Sequence, residues 1–505
     1  MISIKRISII LTAISLLTAC NKSFLEVDPQ GQLTEVQALS DPGAADKLVG
    51  GVYNTLYFAG LFDPTTVGIL LVMATDVASD DADKGSTTDD YSPAAELDNF
   101  TVTSNNSILN NLWNGHYASI ARANRAIDIL NKSTFDPFVK NRLLGEVRFL
   151  RGLYYFNMVR LFGGVPKLIR VPDPSEGNND EFQTRATKDE IYAVIIEDLQ
   201  FAVDNLPLKG VSILGRANKG AAESYLAKVY LYQKNYQKAY DLSLSVINSG
   251  KYSLVSDYNL VFRERAVGGI GGDNNSESIF EVQTGINVGE NAVSKLYSNG
   301  QAPRGRGGWD DLGLGFNNPS SDLVNAFEAN DTRLNATVIF IKPTNPAPAL
   351  GTILWDGFRI PSKDSVENER YNYKAYHSNL RESPQLSGNK DTKLKNIRLM
   401  RYAEVLLINA EAAANLGNAS ATTMLNLVRT RANLPASVGT IDNIWKERRV
   451  ELAMEQDRFF DLVRQGRAAT VLSSKGFKAN KNEVYPIPQA QIDLSGGRLI
   501  QNLGY

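Results

Sequence analysis

Apolar residues return every three or four positions along much of the chain, the period of one face of an α-helix. Leu109, Leu112, Trp113, Tyr117, Ile120, Asn124, Ile127 and Leu130 follow this step. Val139, Leu143, Val147, Leu150, Tyr154 and Met158 repeat it until Gly163-Gly164 ends the run, which predicts an antiparallel helix pair. A third helix is predicted from Thr187, spaced from Glu190 as in a capping box, through Ile191, Val194, Ile195, Leu199 and Ala202 to Leu206-Pro207. A fourth and a fifth follow over 220–233 and 236–248, joined by a turn at Lys234-Asn235. In that last pair Leu226, Ala227, Tyr230 and Ala239 fall at tetratricopeptide spacings. The alanines let two helices approach closely, and the tyrosine fills the groove where the next helix stacks. A weaker echo lies at Ala410 and Gly417, with Ala413 in the aromatic position. A plain alanine-bearing hairpin has the same local pattern, but several hairpins in one chain favour repeats. Such pairs cannot cover their own apolar faces, so they stack into a curved scaffold of the kind that holds partners.

From about Gly250 to Lys395 the pattern changes to glycine, asparagine and proline, as in 268–272, 305–308 and 343–348. Short strand-like runs, Ser278 to Gln283 and Thr337 to Ile341, are embedded there. Helical period returns at Ile397 and continues to about Leu472, and Tyr485-Pro486-Ile487-Pro488 reads as loop. The expected architecture is mainly α: a tetratricopeptide-like helical-hairpin scaffold over 38–249 and 396–505, with a loop-rich, minor-β region inserted over 250–395.

The first residues stand apart from this body. Lys5 and Arg6 precede an apolar stretch from Ile7 to Leu17 that is too short to cross a bilayer. Leu17-Thr18-Ala19-Cys20 has the form of a bacterial lipoprotein signal. An ordinary secretory signal shares the basic and apolar parts, but Cys20 is the only cysteine of 505 residues and stands at the lipidation position. Residues 1–19 are therefore expected to be removed, Cys20 to carry lipid, and 20–37 to form a polar tether. Two acyl chains on the glycerol and one on the new amino terminus suffice for stable anchoring. A lone cysteine leaves no disulfide framework or thiolate metal site. The net charge of −2 argues against a nucleic-acid partner.

The chain also resembles, nearly from end to end, the SusD/RagB family of Bacteroidetes surface lipoproteins. The resemblance is carried by 121–127 (ARANRAI), 145–151 (GEVRFLR), 154–156 (YYF), 162–166 (FGGVP), 277–281 (ESIFE), 401–407 (RYAEVLL), 410–412 (AEA) and 447–452 (ERRVEL). Its most specific part is 458–464 (RFFDLVR), followed by the Tyr-Pro-Ile-Pro turn and 501–505 (QNLGY), where Leu503 replaces a proline common in the family. The resemblance implies a tetratricopeptide-like scaffold with an irregular ligand-binding half. It further implies an outer-membrane, lipid-anchored protein facing the exterior, which captures oligosaccharides, or peptides in some branches, as a lid over a SusC-like TonB-dependent barrel.

Enzymatic chemistry finds little footing. Asp80-Asp81, Asp89-Asp90 and Asp310-Asp311 could supply a glycosidase acid and base, but carboxylates adjacent in sequence do not flank a bond from opposite sides. They are expected in solvated loops, with surface calcium as the lesser alternative. His116 and His377 are the only histidines and belong to no metal spacing, so neither a cofactor nor a histidine metal cluster is expected. The glycine-rich runs lack a phosphate-loop ending, and G-x-S-x-G does not occur. The charged series Glu447 to Arg467 is expected to be framework, with Asp461 three residues from both Arg458 and Arg464. A binder of neutral sugars needs aromatic platforms beside hydrogen-bonding groups. Trp309 leads, with Arg304, Arg306 and Asp310 beside it in the segment where the resemblance puts ligand contacts. Tyr91, in the acidic loop 79–98, follows, and then Tyr297 and Trp355. Trp113 and Trp445 lie on apolar stripes and are expected in the core.

Overall fold

In a computed structural model the chain is described over residues 35–57, 61–284, 294–306, 312–343, 351–382 and 395–505. Helices dominate: α1 (Glu35–Ser40), α2 (Pro42–Tyr53), α3 (Ser92–Asp98), α4 (Ser107–Lys132), α5 (Pro137–Phe162), α6 (Lys188–Asn205), α7 (Lys219–Tyr232) and α8 (Tyr236–Asn248). Within the irregular region lies α9 (Ser294–Gln301), and after it come α10 (Tyr402–Asn415), α11 (Ser420–Arg431), α12 (Ile441–Glu451) and α13 (Arg458–Arg464). The starts are set by side chains that accept from otherwise orphaned backbone N–H groups. Asn106 Oδ1 accepts from the N–H of Ile108 at 3.0 Å and of Leu109 at 3.2 Å. Asp136 caps α5 with Pro137 in the first turn. At Thr187 the capping box forms, the backbone N–H of Thr187 donating to Glu190 Oε2 at 2.8 Å. Gly163, at φ 77°, ends α5 as expected.

Each helix packs on the next, α4 on α5, α5 on α6, α6 on α7, α7 on α8, α8 on α10, and α10 on α11 and α12. The two helical parts, separated by the whole irregular region in sequence, therefore join through α8 and α10 into one stack. Leu226, Ala227, Tyr230 and Ala239 are buried at the seam, as are Ala410 and Ala413. Among the glycines within these helices, the closest approach is at Gly115, where a Cβ would lie 2.2 Å from the Thr65 carbonyl oxygen. Trp113 is in the core, whereas Trp445 is only half-buried, beneath the Arg467 guanidinium.

The strands are short and antiparallel: β1 (Ala82–Gly85) with β3 (Phe316–Pro319), β2 (Ser278–Val282) with β8 (Ile397–Arg401), β4 (Val338–Phe340) with β7 (Arg370–Asn372), and β5 (Thr352–Ile353) with β6 (Arg359–Ile360). One expectation is corrected here: Ile397 to Arg401 is strand rather than helix, and the helix begins at Tyr402. Hydrogen bonding to β2 decides the conformation of a run too short for its own period to do so.

A buried ion network fastens the irregular region to the helices. Arg401 donates to Glu277, to Glu451 at 3.0 Å and to Glu455 at 2.6 and 2.7 Å. Arg333 bonds Asp331, Glu447 and Glu451. The framework reading of Glu447 to Arg467 holds, with one changed partner. Asp461 pairs with Arg464 at 2.7 Å and Arg448 at 2.6 Å, while Arg458 turns to Asp80.

Candidate functional site

The acidic loop and the irregular region meet at the β1–β3 pair. Gly85 has φ 70°, and a Cβ there would come within 2.4 Å of the Gly315 carbonyl, so the crossing depends on glycine. Just beyond it, Ser86 N–H donates to the Gly315 carbonyl at 2.6 Å and Ser86 Oγ donates to Asp90 Oδ2 at 2.9 Å. Arg304 reaches across to the same pair, donating to Ser86 Oγ at 2.5 Å and forming an ion pair with Asp90. Lys84 Nζ closes the loop from behind by donating to the carbonyls of Thr87 at 2.6 Å and Asp90 at 2.8 Å. An open groove of about 490 Å³ lies alongside, lined by Lys84, Ser86, Asp98, Asn318, Asn368 and Arg370 among others.

Tyr91 adjoins this polar cluster. Its backbone is left-handed at φ 49°, its hydroxyl donates to the Leu61 carbonyl at 2.7 Å, and burial pushes its phenol up. Its half-buried ring meets Phe316 edge-on at 6.2 Å and Phe62 edge-on at 5.8 Å. Phe62 is 78% exposed. The sequence reading missed this ring, because a lone Phe-Asp-Pro in a loop has no spacing that marks it; its only signal is an aromatic beside a turn-forming proline.

The sequence candidates divide accordingly. Tyr91 and Arg304 come together through Asp90. Arg306 is exposed two residues on, its N–H donating to the Ser365 carbonyl at 2.7 Å. Trp355 is in a separate cluster with Phe358 and Tyr373, half-buried beneath the Arg263 guanidinium at 4.3 Å. Its indole N–H is buried with no hydrogen-bond partner. Tyr297 requires correction: it is only 7% exposed within α9, so it fills core and presents no ring face to a ligand. Trp309 and Asp310, and Cys20 with the signal and tether up to residue 34, lie outside the described residues.

The acidic pairs also depart from expectation. Asp80 and Asp81 are buried rather than solvated, because Arg449 and Arg458 from the C-terminal helices reach them at 2.7 to 2.9 Å. Asp89 is exposed as expected. Among the described residues no helix is long and apolar enough to cross a membrane.

Comparison with known proteins adds context to this geometry. A family model described as the SusD family matches 276–505, and one described as starch-binding, associating with the outer membrane, matches 44–231. The chain is 27% identical over 496 residues to a SusD-like protein of Bacteroides ovatus, covering 91% of this chain and 82% of that one. It is 27% identical over 523 residues to a SusD-like protein of Formosa agariphila, covering 97% and 98%. Among solved structures it is similar to a laminarin-binding SusD-like protein, with TM-score 0.77, 29% identity and coverage of 92% and 99%. It is similar also to surface glycan-binding protein A from Bacteroides fluxus, with TM-score 0.74, 25% identity and coverage of 92% and 99%.

Proposed function

The chain belongs to the SusD/RagB family, and from that premise we propose that it is a non-catalytic glycan-binding lipoprotein of the outer membrane. In this reading Cys20 anchors it facing the exterior, and it passes captured oligosaccharide to a TonB-dependent barrel. The observation that carries the reading is the exposed Phe62 ring set against Tyr91 beside the Ser86, Asp90 and Arg304 cluster. Neutral sugars present apolar C–H faces and hydroxyls together, and a ring beside fixed donors and acceptors matches both. In this reading Trp309, Asp310, Arg306 and Trp355 also contact the ligand. The absence of catalysis is supported by the acids themselves. Asp80 and Asp81 are already engaged by guanidinium groups, and Asp76 is wholly buried, so none of the three is placed to protonate a glycosidic oxygen.

The laminarin-binding relative makes laminarin the first polysaccharide to test. Affinity electrophoresis and calorimetry of the full chain against soluble polysaccharides and peptides should give binding to at least one glycan without product formation. Release of reducing ends during incubation would overturn the non-catalytic assignment, and binding confined to peptides would overturn the glycan assignment. Copurification of a barrel protein from native membranes tests the delivery step.

A further inference from the structure

We propose that Glu264, His377 and Glu382 form a binding site for one divalent transition-metal ion of the zinc class, fastening the irregular half of the protein from inside. They come from two distant segments: Glu264 follows the short helix Tyr258–Val261, and His377 and Glu382, five residues apart, follow β7. The fold brings one donor atom from each within 4.8 Å of the others, all buried, with His377 only 1% exposed.

The donors are held in place by their surroundings. Glu382 accepts from the backbone N–H of Glu264 at 2.7 Å and of Ser378 at 2.8 Å, which ties its carboxylate to its own turn and to the distant Glu264 segment. Either side of His377, the hydroxyls of Tyr376 and Ser378 donate to Asp356 Oδ2 at 2.8 and 2.5 Å, fixing the backbone that carries the imidazole. Such outer contacts orient the ligands of built metal sites. His377 Nδ1 lies 2.5 Å from Glu264 Oε1. That separation is a hydrogen bond, with a proton between the two atoms.

The donor set selects the class of ion. One imidazole nitrogen and two carboxylate oxygens suit zinc and its first-row neighbours, whereas calcium and magnesium take oxygen shells. Two buried carboxylates favour a divalent charge. Lys395, whose Nζ donates to the Phe262 carbonyl at 2.6 Å, and Arg263 also act on these carboxylates, so the ion binds into a pocket already partly compensated. Zinc-to-ligand distances of about 2.0–2.2 Å place donors roughly 3.4 Å apart, so the Nδ1–Oε1 pair opens and the more distant donors close by side-chain rotations of about an ångström. The ion replaces the proton shared by Nδ1 and Oε1, which leaves to solvent, and it joins two distant chain segments. Arg263, next to Glu264, stacks on Trp355, so occupancy would also stiffen the Trp355 cluster.

The test uses the full chain without a histidine tag, stripped with chelator and titrated with zinc chloride by calorimetry. One equivalent should bind, and His377→Gln and Glu382→Gln should each weaken it at least about 100-fold. Should either variant misfold by circular dichroism, X-ray absorption at the zinc edge of the wild-type protein decides. One imidazole nitrogen with oxygens supports the site, and an oxygen-only or sulfur-containing shell overturns it. Failure of the wild type to retain zinc, or equal retention by folded variants, also overturns it.

Discussion

Replacing Arg401 by methionine probes how the irregular half is held to the helical stack. The guanidinium, 1% exposed, donates five hydrogen bonds to Glu277, Glu451, Glu455 and the Glu451 carbonyl. Methionine fills most of the volume but leaves three buried carboxylates short of a cation. Each keeps at least one other: Arg431 at 2.9 Å on Glu277, Arg333 and Arg431 on Glu451, and Lys374 at 2.7 Å on Glu455. Breaking a buried ion pair costs about 3–5 kcal/mol, and these surviving partners put Arg401→Met near the lower end, at about 3 kcal/mol. The loss has a pH signature. Burial opposes ionisation of Glu451 and Glu455, but the charges of Arg401 and its neighbours outweigh it and hold both below the usual carboxylate range. The stability they lend is therefore full above the unfolded glutamate value and lost as pH falls through the lowered folded values. Without Arg401 those values rise again, so the variant's deficit should be largest at neutral pH and shrink on acidification, as the carboxylates take up protons. Urea unfolding followed by circular dichroism at pH 7 and at about pH 4.5 measures both. A deficit under about 1 kcal/mol at neutral pH, or one that grows on acidification, would refute the network's role.

Other outcomes follow from single sites. Phe62→Ala should weaken glycan binding about tenfold, or about 1.4 kcal/mol, with melting unchanged because the ring is mostly solvent-exposed; calorimetry and a thermal scan separate the two. Gly85→Ala forces a side chain into a left-handed position against the Gly315 carbonyl, and should cost about 2 kcal/mol or more while disturbing the Ser86 and Asp90 cluster, read as lost affinity at permissive temperature. His116 is pushed down to about 4 by burial, with Nδ1–H donating to the Leu112 carbonyl at 2.7 Å. Its neutral form is favoured by folding, so its contribution is complete above the unfolded histidine value of about 6.5 and declines as pH falls towards 4. His116→Gln should flatten the stability profile over that interval, and an unchanged profile would reject the assignment.

The helical frame was legible because its determinants are local. Thr187 with Glu190, Asn106 and Gly163 act within a few residues of themselves, and the alternation of buried faces needs no knowledge of partners. The error at Ile397 to Arg401 has the same origin. Five residues carry too little period to reveal a strand whose hydrogen bonds come from Ser278 to Val282, more than a hundred positions earlier. Asp80 and Asp81 misled for a related reason, since adjacent acids read as solvated until distant arginines are brought to them.

What the amino-acid order determined by itself was the repeat-like helical scaffold and the family resemblance, both of which rest on short-range spacing. Only the tertiary structure decided which aromatics have an open face. It buried Tyr297, half-buried Trp355 and left Phe62 in solvent beside Tyr91. It also assembled Glu264, His377 and Glu382, where a search for histidine spacing finds nothing. Burial and donor convergence are properties of chain segments packed together, and no local pattern of residues encodes them.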